Sequence, residues 1–270
     1  MRGNFTHEAS SEHCSRAAAS WTPIVFCWHD RLVSAIERNP MASPGIAPVS
    51  ADWRSSFFDG LTPQDRKRIL AAAQPRRFAA NSVITNQEDP ADRLFLLTKG
   101  RGRYFFDERE GRHILLHWLT PGDLIGGKTL LAKPSSYLLS SETVRECNFL
   151  VWDRATIRDI AAQHPVLLEN ALSIASDYLS WYLAAHVALT CHSAEQRLAG
   201  VLGSLAGVIG ERVSGGVELD VTNEELANAA NLTHFTASRL LSAWQRHNVV
   251  KKSRGKILLR HPARLFLHES

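Results

Sequence analysis

Apolar residues recur along this chain with three different periods, and each period marks a different kind of element. From residue 77 to 152 they come in short runs, 82–85, 94–98, 103–106, 113–119, 123–125, 137–139 and 148–152. Gly100, Gly102, Gly111, Gly122, Gly126 and Gly127 stand at the breaks. Short runs at roughly 8–12-residue spacing with turn residues between them predict an all-β sandwich or small barrel. After Pro165 the spacing lengthens: Leu168, Leu172, Ala175, Leu179, Tyr182, His186 and Leu189 are separated by alternating steps of four and three. That is a heptad seam over about three repeats, long enough to predict a helix that pairs with a second copy of itself. Two shorter helical patterns flank the β segment. Trp53, Phe57 and Phe58 lead into Thr62-Pro63-Gln64-Asp65, a cap with proline in the first turn, and Ile157, Ile160 and Ala161 follow at helical spacing.

The third pattern occupies residues 221–260. Thr222-Asn-Glu-Glu225 is a capping box, in which Thr222 and Glu225 satisfy each other's backbone N–H. It opens a short helix with Leu226, Ala229 and Ala230 inward, which breaks at Asn231-Leu232. Thr233 can cap a second helix whose apolar face runs through Ala237, Leu240, Leu241 and Trp244. Two short helices joined by a tight turn form a helix-turn-helix, whose second helix lies in the DNA major groove. Val249-Val250-Lys251-Lys252 and Ile257-Leu258-Leu259, on either side of Ser253-Arg254-Gly255-Lys256, predict a hairpin wing. Upstream, Ser193-Ala-Glu-Gln196 is another capping box, opening a helix through Leu198, Leu202, Leu205 and Ile209. Residues 217–221 form a strand leading into the motif.

Charge agrees with that reading. Residues 231–270 contain eight Lys and Arg against one acid, Glu269, whereas the whole chain carries a formal net charge of only +4. Basic charge gathered in one module is the footprint of phosphate binding. The bulk numbers suit a two-domain globular protein: 270 residues, 44% hydrophobic. No apolar run reaches the ~18 residues of a membrane helix, and the first residues lack a signal-peptide pattern. Cys14, Cys27, Cys147 and Cys191 are widely spaced and include no C-x-x-C pair, so a disulfide framework is not expected and a cytoplasmic location is. Residues 1–50 end in a Pro/Gly/Ser-rich stretch and read as a flexible extension. Met41, the one methionine besides Met1, is an alternative start.

The order of these elements resembles the Crp–Fnr family of bacterial transcription regulators. Three motifs carry the resemblance: Leu94-Phe-Leu-Leu-Thr-Lys-Gly100, Leu119-Thr-Pro-Gly-Asp-Leu-Ile-Gly126, and Leu226-Ala-Asn-Ala-Ala-Asn-Leu-Thr-His-Phe-Thr-Ala-Ser-Arg-Leu-Leu241. It implies an α+β fold: an N-terminal β-roll of jelly-roll type (51–164), a long dimerisation helix (165–192) and a C-terminal winged helix-turn-helix (193–270). It further implies a homodimer on double-stranded DNA, with RNA polymerase as a further partner and no membrane partner. The family's base-reading positions fall on His234, Phe235, Ser238 and Arg239. Thr233, Thr236, Lys251, Lys252, Arg254 and Lys256 are the expected phosphate contacts. Members often carry Glu where this chain has Phe235. A carboxylate accepts from cytosine N4, whereas a phenyl ring can only touch a thymine methyl, so a different half-site is expected.

The family's cyclic-nucleotide binders hold ribose with a Glu after the Phe-Ile-Gly-type turn and phosphate with an Arg-Ser/Thr pair. Here Gly127 follows Gly126 in place of the Glu, and the Arg-Ser position falls near Tyr137-Leu138. Without the Arg a buried phosphate loses its charge-assisted bonds, and Lys128 lacks the two-pronged geometry. Cyclic AMP is therefore not the expected ligand of a pocket at Gly126, Gly127, Lys128 and Tyr137. The effector stays unknown. An iron–sulfur cluster would need thiolates brought together, haem would need His113, His117 or His186, and Cys147 and Cys191 read more simply as buried small hydrophobes. A metal-dependent β-barrel enzyme is disfavoured. His113 and His117 on one strand would stand about 13 Å apart, and the chain has no His-x-His, P-loop or nucleophile elbow.

Overall fold

The structure is a computed structural model that describes residues 53–108 and 113–262, together with Leu265. The expected extension over 1–50, Met41, Cys14, Cys27, Gly111, Arg264 and Glu269 lie outside those residues. The described chain forms two compact units that divide between Leu179 and Ser180.

The first unit opens with a 3₁₀ turn, Ser56–Phe58, and helix α1, Pro63–Ala71. Thr62 caps α1 by accepting from the Asp65 N–H at 3.1 Å, with Pro63 where the missing N–H costs nothing. Eight strands follow: β1 Gln74–Phe78, β2 Val83–Thr85, β3 Arg93–Lys99, β4 Gly102–Asp107, β5 His113–Leu119, β6 Leu124–Ile125, β7 Ser140–Thr143 and β8 Cys147–Asp153. They make two antiparallel four-stranded sheets, ordered β1-β8-β3-β6 and β2-β7-β4-β5. Helix α2, Arg154–Gln163, is capped by Asp153, and α3 runs from Val166 to Cys191.

The apolar run of β3 does not alternate because both faces of its sheet are covered. Leu94, Leu96 and Trp152 pack with Phe57, Phe58, Ile69, Ile157 and Leu167 on the helical side. Phe95, Leu97, Phe149 and Val151 point the other way and fill the roll with Leu119, Ile125, Tyr137 and Cys147. The Trp152 indole N–H donates to the Ile69 carbonyl at 2.9 Å, so the largest buried ring leaves no orphan donor. At Gly100, φ is 104° and a Cβ would collide with the Glu146 carbonyl, which makes this corner glycine-specific.

Two strands differ from the sequence reading. β1 (Gln-Pro-Arg-Arg-Phe) is almost wholly exposed and has no apolar alternation; it is an edge strand pairing only with β8, where Pro75 is tolerated. The run at 137–139 is not a strand. The strand is β7, which is buried yet built of Ser140, Ser141, Glu142 and Thr143. Hydroxyl bonds offset its polarity. Ser141 Oγ lies 2.7 Å from Thr85 Oγ1, and Ser140 Oγ accepts from the Gln87 N–H at 2.9 Å. Thr143 Oγ1 accepts from the Ser82 N–H at 2.8 Å and donates to the Ala79 carbonyl at 2.6 Å.

The second unit begins with the C-terminal part of α3, followed by α4, Ala194–Val208, opened by the Ser193/Gln196 capping box. Strands β9 Glu211–Val213 and β10 Gly216–Leu219 lead to α5 Asn223–Ala229, α6 His234–Arg246 and the hairpin β11 Val250–Ser253 and β12 Lys256–Leu259. The sheet order is β11-β12-β10-β9. β9 lies where the sequence suggested only a turn; its residues Glu211, Arg212 and Val213 are all exposed, so burial left no periodic mark.

Thr143→Val is expected to destabilise the roll by about 1–3 kcal/mol, because the isosteric side chain leaves the Ser82 N–H and Ala79 carbonyl unsatisfied. Urea denaturation followed by near-ultraviolet circular dichroism measures it, and an unchanged midpoint would remove β7's hydroxyl bonding from the account.

Candidate nucleic-acid interface

The reading head is built from its caps inward. Thr222 Oγ1 accepts from the Glu225 N–H at 3.1 Å, and Glu225 Oε2 accepts from the Thr222 N–H at 2.8 Å, closing the expected box on α5. On α5, Leu226, Ala227 and Ala230 are the buried positions. Ala229 is only half-buried, because the short helix turns Ala227 toward the core instead. The helix ends at Asn231, whose φ of 50° is the left-handed conformation that asparagine tolerates. The Leu232 N–H donates to the Ala227 carbonyl at 2.8 Å across the turn. Thr233 then caps α6, accepting from the Thr236 N–H at 3.1 Å.

On α6, Ala237, Leu241 and Trp244 are buried and Leu240 is half-buried. Leu198, Ala199, Leu202, Val249, Val250, Ile257 and Leu259 are buried in the same unit. The outer face carries the candidate base-reading residues. His234 and Arg239 are exposed, Ser238 is half-buried and Phe235 is 77% exposed, so the ring does not pack inward. Thr233 Oγ1 and Thr236 Oγ1 are 2.9 Å apart. That bond and the cap use one hydroxyl hydrogen, leaving the other for a phosphate oxygen.

The wing cations divide into two groups. Lys251 and Arg254 are exposed, with Arg254 at the tip beside Gly255, whose φ is 71°. Lys252 Nζ instead donates to Ser242 Oγ at 2.9 Å, and Ser242 Oγ donates to the Ser238 carbonyl at 2.7 Å, fastening the wing to the outer flank of α6. Lys256 is exposed as well and is ion-paired with Glu218 on the neighbouring strand β10, which holds its pKa up. Of the four expected wing contacts, Lys251, Arg254 and Lys256 are exposed and Lys252 is half-buried.

Two residues that pattern reasoning did not single out fix the head in place. The Arg197 guanidinium donates to the Ala230 carbonyl at 3.0 Å, the Asn231 carbonyl at 3.3 Å and the His192 carbonyl at 3.2 Å. Glu195 Oε1 accepts from the Trp244 indole N–H at 3.1 Å. The first turn of α4 thereby holds both the turn and the buried side of α6. The one signal in the sequence was their place inside the Ser193 capping segment.

In the roll, the Tyr137 ring lies directly against Gly126, so two of the four candidate pocket residues are neighbours. Gly126 takes φ 86°, Gly127 is exposed with open space where a Cβ would be, and Lys128 is half-buried. Tyr137 is a core residue: its hydroxyl donates to the Arg93 carbonyl at 3.0 Å and accepts from the Arg93 N–H at 3.1 Å. Burial pushes its pKa up to about 12. Arg154 spends its guanidinium on the carbonyls of Thr129, Leu131 and Ala132. A cavity of about 110 Å³ opens at the sheet end, among Gln74, Arg76, Arg93, Val151 and Asp153.

Of the haem candidates, His117 is packed edge-on to Tyr178 at 5.1 Å between centroids. Burial lowers its pKa against the opposing pull of Asp123. His186 is exposed, and the side chain of His113 lies outside the described residues. Cys147 is buried, its thiol pKa raised by burial. Cys191 is exposed, contrary to the expectation of a buried small hydrophobe, because it ends α3 facing solvent. No described helix is long and apolar enough to cross a membrane.

A jelly-roll followed by a long helix and a winged helix-turn-helix defines a class of DNA-binding regulator with an effector-type domain. Residues 75–164 match the cyclic nucleotide-binding domain and residues 196–266 match the Crp-like helix-turn-helix domain. The chain belongs to the Crp–Fnr family of transcription regulators. It is 23% identical over 214 residues to a CRP-like cAMP-activated global transcriptional regulator of Mycobacterium tuberculosis, covering 78% of this chain and 95% of that protein. It is 24% identical over 221 residues to the nitrogen fixation regulation protein FixK of Azorhizobium caulinodans, covering 79% and 88% respectively. Among solved structures, the c-di-GMP responsive global regulator CLP of Xanthomonas campestris superposes with a TM-score of 0.66 at 18% identity, covering 74% of this chain and all of that one. FixK2 of Bradyrhizobium japonicum gives 0.63 at 19%, covering 73% and 98%. The relatives are transcription regulators and not enzymes.

Arg197→Ala is expected to lower affinity for specific and random DNA alike and to destabilise the second unit by about 1–3 kcal/mol, since it strips two bonds from the turn carbonyls and one from His192. Fluorescence anisotropy on both duplexes, paired with thermal melting, checks it; a loss confined to the specific site would assign Arg197 to base reading instead.

Proposed function

We propose that the protein works as a homodimer that reads a two-fold symmetric operator in the cytoplasm, independently of cyclic AMP. The observation that carries this reading is the outer face of α6. His234, Phe235 and Arg239 stand free on a helix whose inner face is fully packed, as a major-groove reader requires. Arg239 supplies the bidentate guanine contact. Thr233, Thr236, Lys251 and Arg254 meet phosphates, with Lys252 and Lys256 holding the wing in shape.

Support for the dimer comes from α3. Leu172 is 69% exposed, Leu179 60% and Leu183 58%, and Leu168, Ala175, Val187, His186 and Leu189 are exposed with them, while Tyr182 is half-buried. Residues of the adjacent face, Leu167, Ala171 and Ile174, pack against the roll's helical-side core. A helix carrying so long an unpaired apolar stripe is the half-interface of a coiled coil. Dimerisation sets two recognition helices about one DNA turn (~34 Å) apart.

Against cyclic AMP stand the missing carboxylate at Gly127, the absence of an Arg-Ser pair at Tyr137-Leu138 and a roll interior filled by Phe95, Tyr137 and Phe149. Some relatives are cAMP-activated by name, and this chain lacks the Glu and the Arg-Ser/Thr pair of the family's cyclic-nucleotide pattern. An effector of other chemistry would act by favouring one arrangement of the paired helices, and RNA polymerase is the partner through which bound protein changes transcription.

Selection of genomic fragments on the purified protein tests the core of this reading: a palindromic motif is expected. On that motif Arg239→Ala should cost about 1–3 kcal/mol and relax one base position, and Lys251→Ala should flatten the salt dependence by about one phosphate. Equal loss on random DNA would remove Arg239 from base reading. Leu179→Lys should yield folded monomer by sedimentation velocity and weaken operator binding; a dimer persisting would place the interface elsewhere. Millimolar cyclic AMP should leave operator affinity unchanged, and a tightening would return the roll to nucleotide sensing.

A further inference from the structure

Phe235 occupies the second position of α6 after the Thr233 cap, in the turn whose residues reach base edges in a helix-turn-helix. Its ring is 77% exposed, and no other described ring stacks on it. In the same unit, Leu226, Leu241, Val249, Ile257 and Leu259 are all buried, so the exposure of a phenyl group here is not a shortage of core. A phenyl ring has no hydrogen-bonding atom. What it can recognise in the major groove is the one apolar group displayed there, the C5-methyl of a pyrimidine. Phe235 and Arg239 are four residues apart and share the outer face, with a rise of about 6 Å along the axis, or roughly two base steps. Ser238 and Ser242, held to each other and to Lys252, line the flank of that face and keep the wing lysine beside the ring's helix.

We infer that Phe235 makes the protein a reader of pyrimidine C5-methyl groups, so that each operator half-site holds a thymine within about two base steps of the guanine read by Arg239, and 5-methylcytosine can substitute for that thymine. The inference rests on the operator reading above. Its content is separate, because it concerns the methyl group and not the base pair. Thymine and 5-methylcytosine place a methyl at the same point of the groove while presenting opposite exocyclic groups, a carbonyl and an amine. Uracil keeps thymine's hydrogen-bonding pattern and lacks the methyl. A carboxylate at this position would sort these bases by N4; the ring sorts them by C5.

The experiment uses the full-length protein and the selected operator duplex, with each thymine of a half-site replaced in turn by deoxyuridine and, separately, by cytosine or 5-methylcytosine paired with guanine. One position per half-site is expected to lose about fourfold in affinity on removal of the methyl, and about fifteenfold when both half-sites are changed. At that position 5-methylcytosine should bind more tightly than cytosine by a similar factor. Phe235→Ala should abolish both differences, and Phe235→Glu should invert the preference toward unmethylated cytosine. Deoxyuridine tolerated at every position, with the operator still preferred over random DNA, overturns the inference and leaves the operator reading intact. No preference for any duplex over random DNA overturns the operator reading and the inference together.

Discussion

A thirteen-residue helix is marginal in water on its own, so the reading head depends on burying one face of α6. Ala237, Leu241 and Trp244 supply that face, and everything on the other side of the helix inherits its position from them. The same burial decides which residues are free for DNA. With Trp244 directed inward and its N–H bound by Glu195, the positions a half-turn away, Phe235 and Arg239, can only point to solvent. Capping at Thr233 completes the arrangement, because it sets the first turn without recruiting a base-facing side chain.

The roll solves a different problem. Its two sheets enclose an apolar interior, yet β7, in the middle of one sheet, is made of serine, threonine and glutamate. Buried hydroxyls are tolerable only when bonded, and here each finds a backbone group, another hydroxyl or a carboxylate. Glu142 is paired with Arg103 at 2.5 Å on the neighbouring strand. The polar strand therefore fixes register where apolar packing alone would permit slippage.

These two cases explain what could be read from the sequence and what could not. Periodicity reports burial, so α3, α4, α6, β3 and β8 were legible from their apolar residues, and the caps at Thr62, Ser193, Thr222 and Thr233 marked helix starts through hydroxyl chemistry. β1 and β9 are exposed edges and β7 is buried but polar, so none of the three carries an apolar signature. The reading-head residues were visible because a motif places them. Arg197 and the pairing of Lys256 with Glu218 were not, since both depend on partners more than thirty residues away in the chain.

Arg197 bonds to the helix-turn-helix through two main-chain carbonyls, those of Ala230 and Asn231, with a third bond to the His192 carbonyl before α4. A grip on peptide oxygens is indifferent to which residues carry them. Substitutions along the exposed face of α6 can therefore accumulate without loosening the mount, and a lineage built on this scaffold can drift from one set of target genes to another while its architecture stays fixed.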